Sequence, residues 1–225
     1  MIKCCIFDLD GTILNTITTI THFVNKTLQK FGYETITEEQ CKYFVGNGAR
    51  LLITRTLAHL GITDEQTVDT VLDAYDREYK SNPYYLTCKY DGIDELIAGL
   101  RRAGISLAVV SNKQDRIAKD AVAHFFPDTF DLVVGGKDGV PLKPAPDAPL
   151  AVLSALGFAP DECAFIGDTA VDVETGKNMR ADEVIGVSWG FRKREELSNA
   201  DRIADDPIQI LRILTEKNFE RRYIL

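Results

Sequence analysis

The chain has 225 residues, of which 34 are acidic and 26 basic, for a formal net charge of −8. A chain of this length buries roughly 70–75% of its unfolded surface without a disulfide or metal staple, and its acidic balance excludes a nucleic-acid coat or an anionic-membrane binder, which need basic faces. Apolar stretches such as Leu107–Val110 are too short to span a membrane.

The first predicted strand is Ile2–Phe7. Met1-Ile2-Lys3 leads straight into it with no small-residue cleavage site behind, so no signal peptide is expected. From about Asn15 to Leu86 the pattern is helical only. Ile17, Ile20, Val24, Leu28 and Phe31 recur at spacings of three and four, and Gly32 closes that helix. Thr63-x-x-Gln66 reads as a capping box ahead of Val68, Val71, Leu72, Tyr75 and Tyr79. Beyond Thr87, Asp91 is expected to cap a helix through Ile93, Leu96, Ile97 and Leu100 that Gly104 ends. Strands follow at Ile105–Val110 and Asp131–Val134. Pro146 opens and Gly157 stops a helix over Ala145–Leu156. Strands at Cys163–Ile166 and Val184–Val187 complete the set, and the last ten residues, with Arg221-Arg222, read as a solvated tail or an oligomer contact.

Strand–helix alternation predicts a doubly wound, mostly parallel α/β sheet of Rossmann-like type. The helical stretch is an all-helical insert, so residues 1–14 and 87–225 form the core and 15–86 a second domain. Two chain crossings join them, a natural hinge. Cys4, Cys5, Cys41, Cys88 and Cys163 are odd in number and lack C-x-x-C spacing. They read as buried thiols in a reducing compartment, and the expected location is cytoplasmic.

Ligands of open α/β sheets bind beyond the carboxyl ends of the strands. There the chain carries Asp8-Leu9-Asp10-Gly11-Thr12, Ser111-Asn112-Lys113, Lys143-Pro144 and Gly167-Asp168-Thr169-Ala170-Val171-Asp172. Crowded carboxylates repel unless a cation joins them. With no histidine or cysteine beside them, the implied ion is hard, and Mg²⁺ fits. Lys143 and Ser111 suit a phosphate, and a carboxylate can attack phosphorus.

These four segments, in this order and spacing, resemble the motifs of the haloacid dehalogenase-like superfamily over about Ile2 to Leu214. The insert after the first motif resembles a C1-type cap. Gly46-x-Gly48, Lys143-Pro144-Ala145-Pro146-Asp147 and Gly186-Val187-Ser188-Trp189-Gly190-Phe191-Arg192 resemble the phosphoglycolate phosphatase-like branch. The resemblance implies a Mg²⁺-dependent phosphatase of a small phosphorylated metabolite, 2-phosphoglycolate foremost. Asp8 would be the nucleophile, forming an aspartyl-phosphate, and Asp10 the acid and base. Mg²⁺ would be held by Asp8, the Asp10 backbone carbonyl and Asp168, with Asp172 in support. Ser111, Asn112 and Lys143 would bind phosphate. In the cap, Gly46, Asn47 and Gly48 would face the substrate and Arg50 would pair with its carboxylate. Asn15 departs from the acidic residue of many relatives. The partner is a small metabolite and neither nucleic acid nor membrane, and the chain is expected to be a monomer or homodimer.

Three other readings stand beside this one. A β-phosphoglucomutase-like mutase would want a histidine where Ile20 aligns, and His22 lies two residues away. A pyrophosphatase or broad sugar-phosphate phosphatase shares the core motifs. A non-enzymatic binding module would have lost a nucleophile or ligand, and none is missing. His22, His59 and His124 are expected in structural roles, and Trp189 and Phe191 in packing at the site rim.

Overall fold

The computed structural model describes the backbone of residues 1–223 and the side chains of residues 1–220. Strand β1 (Cys4–Phe7) leads to a short β2 (Leu14–Asn15), then to helices α1 (Ile17–Lys30), α2 (Glu38–Phe44), α3 (Ala49–His59) and α4 (Glu65–Ser81), and to β3 (Cys88–Lys89). The chain then alternates through α5 (Ile93–Arg102), β4 (Ser106–Gln114), α6 (Asp115–Phe125), β5 (Leu132–Gly136), α7 (Asp147–Leu156), β6 (Cys163–Gly167), α8 (Ala170–Asn178), β7 (Glu183–Val187), β8 (Arg202–Ala204) and α9 (Pro207–Tyr223).

The six-stranded sheet has the order β5-β4-β1-β6-β7-β8, and every pairing in it is parallel. Side chains alternate between its faces as strand geometry requires. Cys5, Phe7, Leu107, Val109 and Ile166 pack against α5, α6 and α9, whereas Cys4, Ile6, Val110 and Phe165 pack against α7 and the end of α8. Burial on both faces explains why these strands read as apolar runs. The chain winds outward from β1 in both directions, so the topological switch point lies between β1 and β6. That is where an open α/β sheet opens its ligand crevice.

Helices α1–α4 carry a core of their own, built on Phe23, Val24, Leu28, Leu57, Val71 and Tyr75. The chain leaves the sheet through β2 and returns through β3, which pair antiparallel (Leu14 opposite Lys89, Asn15 opposite Cys88). The α1 helix shows the expected period and ends ahead of Gly32, whose φ of 73° is the left-handed geometry glycine accepts most readily.

Several local expectations are corrected. The cap of α4 is Asp64, which accepts from the Thr67 backbone at 2.8 Å, and not Thr63, because a carboxylate is the stronger N-cap acceptor. Helix α5 starts from Gly92 at φ 85°, without a side-chain cap from Asp91. The strand expected at Ile105–Val110 runs on to Gln114, with a register shift between Val110 and Gln114, so Ser111 and Asn112 lie within it rather than after it. Strand β8 is an edge strand of three residues that carries no apolar run. Cys88 is exposed; the other four cysteines are buried and all five are unpaired. The C-terminal segment continues as α9, whose Asn218 clamps the backbone of Ile2 through bonds of 2.6 and 2.9 Å. The side chains of Arg221 and Arg222 lie outside the described residues. No helix among the described residues is long and apolar enough to cross a membrane.

Candidate active site

Each motif ends at the switch-point edge. Asp8 follows β1 and its amide donates to Ile166 O at 2.9 Å, fixing it beside β6. Asp168 follows β6 and is fully buried. Its oxygens accept from the Thr12 hydroxyl at 3.3 Å and the Phe191 amide at 2.7 Å. Gly11, at φ 89°, lets the turn pass over that carboxylate: a Cβ there would meet Asp168 Oδ2 at 2.3 Å. Trp189 donates to Thr12 O at 3.0 Å and pins the same turn.

Asp172 belongs to the first turn of α8. One of its oxygens closes a capping box, accepting from the Thr169 amide at 3.0 Å and the Thr169 hydroxyl at 2.7 Å. The other accepts from Lys143 Nζ at 2.7 Å. Lys143 also stands 2.7 Å from Asp8 Oδ1, and its side chain is 3% exposed. One buried ammonium therefore bridges the carboxylates of β1 and α8.

The electrostatics follow from burial. Desolvation raises Asp8 from 3.8 to about 7, outweighing the opposing pull of Lys143, and Asp172 and Asp10 push the same way. Desolvation, with Asp172 and Asp8, holds Asp168 well above the ordinary carboxylate range. At Lys143 the balance reverses: burial disfavours its charge, but Asp172 and Asp8 outweigh it and raise its pKa.

Carboxylate oxygens of Asp8, Asp168 and Asp172 lie within 4.8 Å of one another. Lys143 offsets one of these three charges, and the remainder calls for a further cation or for bound protons. Donors that are all oxygen fit a hard divalent ion. In metal-free buffer the folded protein keeps a proton on Asp8 up to about pH 7, whereas the unfolded chain releases it near 3.8. The folded state binds more protons across that window, so its stability falls as pH rises through it. Urea unfolding of the wild type against Asp8→Asn should show the wild type losing ground from about pH 4 to about pH 7. A difference that stays flat over that range would contradict the assignment.

Asp10 turns away from this cluster. Lys113 Nζ donates to both its oxygens, at 3.0 and 3.1 Å, and to the Tyr79 hydroxyl of α4 at 2.8 Å. Ser111 and Asn112 both line the cavity above Asp8. The Asn112 side chain is engaged by its neighbours: it donates to Lys143 O at 3.0 Å and Gly46 O at 3.1 Å, and accepts from the Lys143 amide at 2.8 Å. It holds the Lys143 loop in place. The cavity measures about 100 Å³, small beside the roughly 300–1,000 Å³ of typical ligand pockets. Helices α1, α3 and α4 roof it with Ile20, Leu52 and Tyr75.

Of the residues expected in the insert, Gly46 and Gly48 line the cavity. Asn47 is half-buried and is not part of its lining. Arg50 is exposed, paired with Asp69 at 2.5 Å, and faces away from the cavity. On α3 the buried positions are Leu52, Ile53, Thr56 and Leu57, so helical rotation carries Arg50 to the outer face. His22 packs against Phe23 and Tyr85, and His124 stacks on Tyr84.

Besides the Asn112 bond to Gly46 O, two further contacts join core and insert without a signal in the sequence. Arg192 donates to the Lys42 and Val45 carbonyls, the latter at 2.9 Å, satisfying the orphan carbonyls at the end of α2. Phe191 beside it is buried in the insert's own core. Lys113 is the second. It closes the Ser111-Asn112-Lys113 motif, but nothing local marks its partners.

A model of the haloacid dehalogenase-like hydrolases matches residues 5–186. A phosphoglycolate phosphatase of Haemophilus influenzae is 33% identical over 217 residues, 92% of this chain and 96% of that protein. One of Aquifex aeolicus is 30% identical over 189 residues, 84% of this chain and 85% of its own length. A solved structure from Lactobacillus delbrueckii subsp. bulgaricus superposes with a TM-score of 0.88 at 33% identity, covering 93% of this chain and 96% of that one. With the motifs of that family gathered at the switch point, the chain belongs to the haloacid dehalogenase-like hydrolases and is similar to their phosphoglycolate phosphatases.

Proposed function

We propose that this chain is a Mg²⁺-dependent phosphatase that hydrolyses a small phosphorylated metabolite, 2-phosphoglycolate foremost, through an aspartyl-phosphate on Asp8. The observation that carries the reading is the Lys143 bridge between Asp8 and Asp172, set beside buried Asp168 under a roof of α1–α4. Asp8 Oδ attacks phosphorus and the leaving ester oxygen departs with a proton from Asp10. Asp10 then takes a proton from water as that water attacks the aspartyl-phosphate, releasing phosphate and restoring Asp8. Lys143 offsets negative charge as the phosphoryl group transfers, and Ser111 helps seat it. Mg²⁺, held by Asp8, Asp168 and the Asp10 backbone carbonyl with Asp172 in support, would supply charge neutralisation for phosphate and keep Asp8 ionised.

Residues 15–86 act in this reading as a cap on the β2–β3 ribbon, and closure would exclude bulk water. Two further features support it: unpaired cysteines suit a reducing, cytoplasmic setting, and Ile20 in the cavity wall with His22 packed on aromatic rings disfavours the mutase.

The test is phosphate release from 2-phosphoglycolate, pyrophosphate, β-glucose 1-phosphate and nucleoside monophosphates, with Mg²⁺ and with EDTA. Preferred release from 2-phosphoglycolate, lost in EDTA, is expected. Flat turnover across the panel would remove the named substrate. Conversion of β-glucose 1-phosphate to the 6-phosphate without release would favour the mutase.

A further inference from the structure

The charged lining of the cavity holds two cations among the described residues, Lys143 and Lys113. Lys143 is committed to the carboxylates that flank the phosphate seat. Lys113 stands apart, on the side of the cap, with its side chain 11% exposed and its ammonium between Asp10 and the Tyr79 hydroxyl. The rest of the lining mixes apolar and aromatic Ile20, Leu52, Tyr75 and Phe191 with Asp76, Gln114 and Thr169, and adds no further cation.

We propose that Lys113 and Tyr79 form the subsite that reads a second negative charge on the substrate, a carboxylate a few bonds from the phosphate, and that its arrival frees an Asp10 oxygen to face the leaving group. The inference rests on the phosphatase reading and deepens it. The geometry argues for it in three ways. First, the Tyr79 hydroxyl accepts from Lys113 at 2.8 Å, which leaves its own proton to donate. Ammonium and hydroxyl side by side make a two-donor fork of the kind a planar carboxylate accepts. Second, Lys113 lies two residues beyond Ser111 on the same strand and both line the cavity, so the phosphate seat and the fork are a short molecule apart. Third, Lys113 engages both Asp10 oxygens, at 3.0 and 3.1 Å. Both Asp10 oxygens are thereby turned toward the ammonium, on the side away from Asp8, Asp168 and Asp172. A substrate carboxylate that draws Lys113 toward itself releases one of those bonds, whereas a neutral leaving group does not. Arg50, expected from sequence to meet the carboxylate, is paired with Asp69 outside the cavity, and Lys113 takes that place.

The test compares kcat/KM for 2-phosphoglycolate and for its neutral amide, with Mg²⁺, in the wild-type chain, Lys113→Met and Tyr79→Phe. The wild type is expected to prefer the acid by about 100-fold, the scale of one desolvated charge pair. In Lys113→Met that ratio should fall at least about tenfold, and in Tyr79→Phe it should fall by less in the same direction. Equal rates on acid and amide in the wild type would overturn this inference and leave the phosphatase reading standing. So would a Lys113→Met loss equal for both esters, which would reduce Lys113 to a positioning residue for Asp10. If Lys113→Met does not fold, Tyr79→Phe decides: an unchanged ratio overturns the proposal. Release from no ester at all would overturn the phosphatase reading and this inference with it.

Discussion

Replacing Lys143 with methionine is expected to destabilise the metal-free protein by about 3–5 kcal/mol at neutral pH and to slow phosphate release by about 10²–10³-fold. The Lys143 ammonium is 2.7 Å from both Asp8 and Asp172, and all three side chains are buried or nearly so. Removing Lys143 strips buried Asp172 of its counterion and pushes Asp8 further toward its protonated form, which is far more damaging than losing a surface pair. Methionine keeps most of the volume, so packing against Phe165, over whose ring the ammonium sits at 5.8 Å, is largely retained. The loss is therefore electrostatic, and a divalent cation among Asp8, Asp168 and Asp172 should restore part of it by binding the folded state alone. Urea unfolding in EDTA and in Mg²⁺ measures this. The gap between wild type and Lys143→Met should be wide in EDTA and narrower in Mg²⁺. A gap below about 1 kcal/mol in EDTA would show that the bridge does not hold the site together.

The parts of this fold that were legible in sequence share a physical cause. Strands of a parallel sheet are buried on both faces, so β1, β4 and β6 stand out as apolar runs. Ligand-bearing residues gather toward the carboxyl ends of such strands, so the sequence alone assigns the four motifs to one edge. What escaped is equally physical. β8 is three residues long at the sheet edge, and β2 and β3 are two each, too short to carry a period. The partners of Lys113 are 103 and 34 residues away, and no local pattern announces them. Arg50 reads as a substrate contact because it adjoins the Gly46–Gly48 loop, which by resemblance to the family faces the substrate. Position along a chain does not fix azimuth on a helix, and two residues past Gly48 the side chain points outward to Asp69. The same limit applies to Asn112. Its amide could be expected to meet phosphate, but its hydrogen bonds go to Lys143 and Gly46, which only the folded loop brings within reach.

The second large effect concerns Asp8. Asp8→Asn is expected to lower phosphate release by about 10⁴–10⁶-fold, the scale seen when a nucleophile is removed and binding groups remain. Asparagine is close in shape, leaves Lys143 paired with Asp172 at 2.7 Å, and removes a carboxylate that burial already holds at about 7. The variant should thus fold at least as well as the wild type near neutral pH while losing the attacking oxygen. That separation of stability from turnover distinguishes a nucleophile from a residue that merely supports the site. The most direct measurement is to quench the wild-type enzyme in acid during turnover of 2-phosphoglycolate with Mg²⁺ and to locate any adduct by peptide mass spectrometry. The account predicts one phosphoryl group on the peptide containing Asp8, released by hydroxylamine and absent from Asp8→Asn. Turnover with no adduct, or an adduct on another residue, would contradict it.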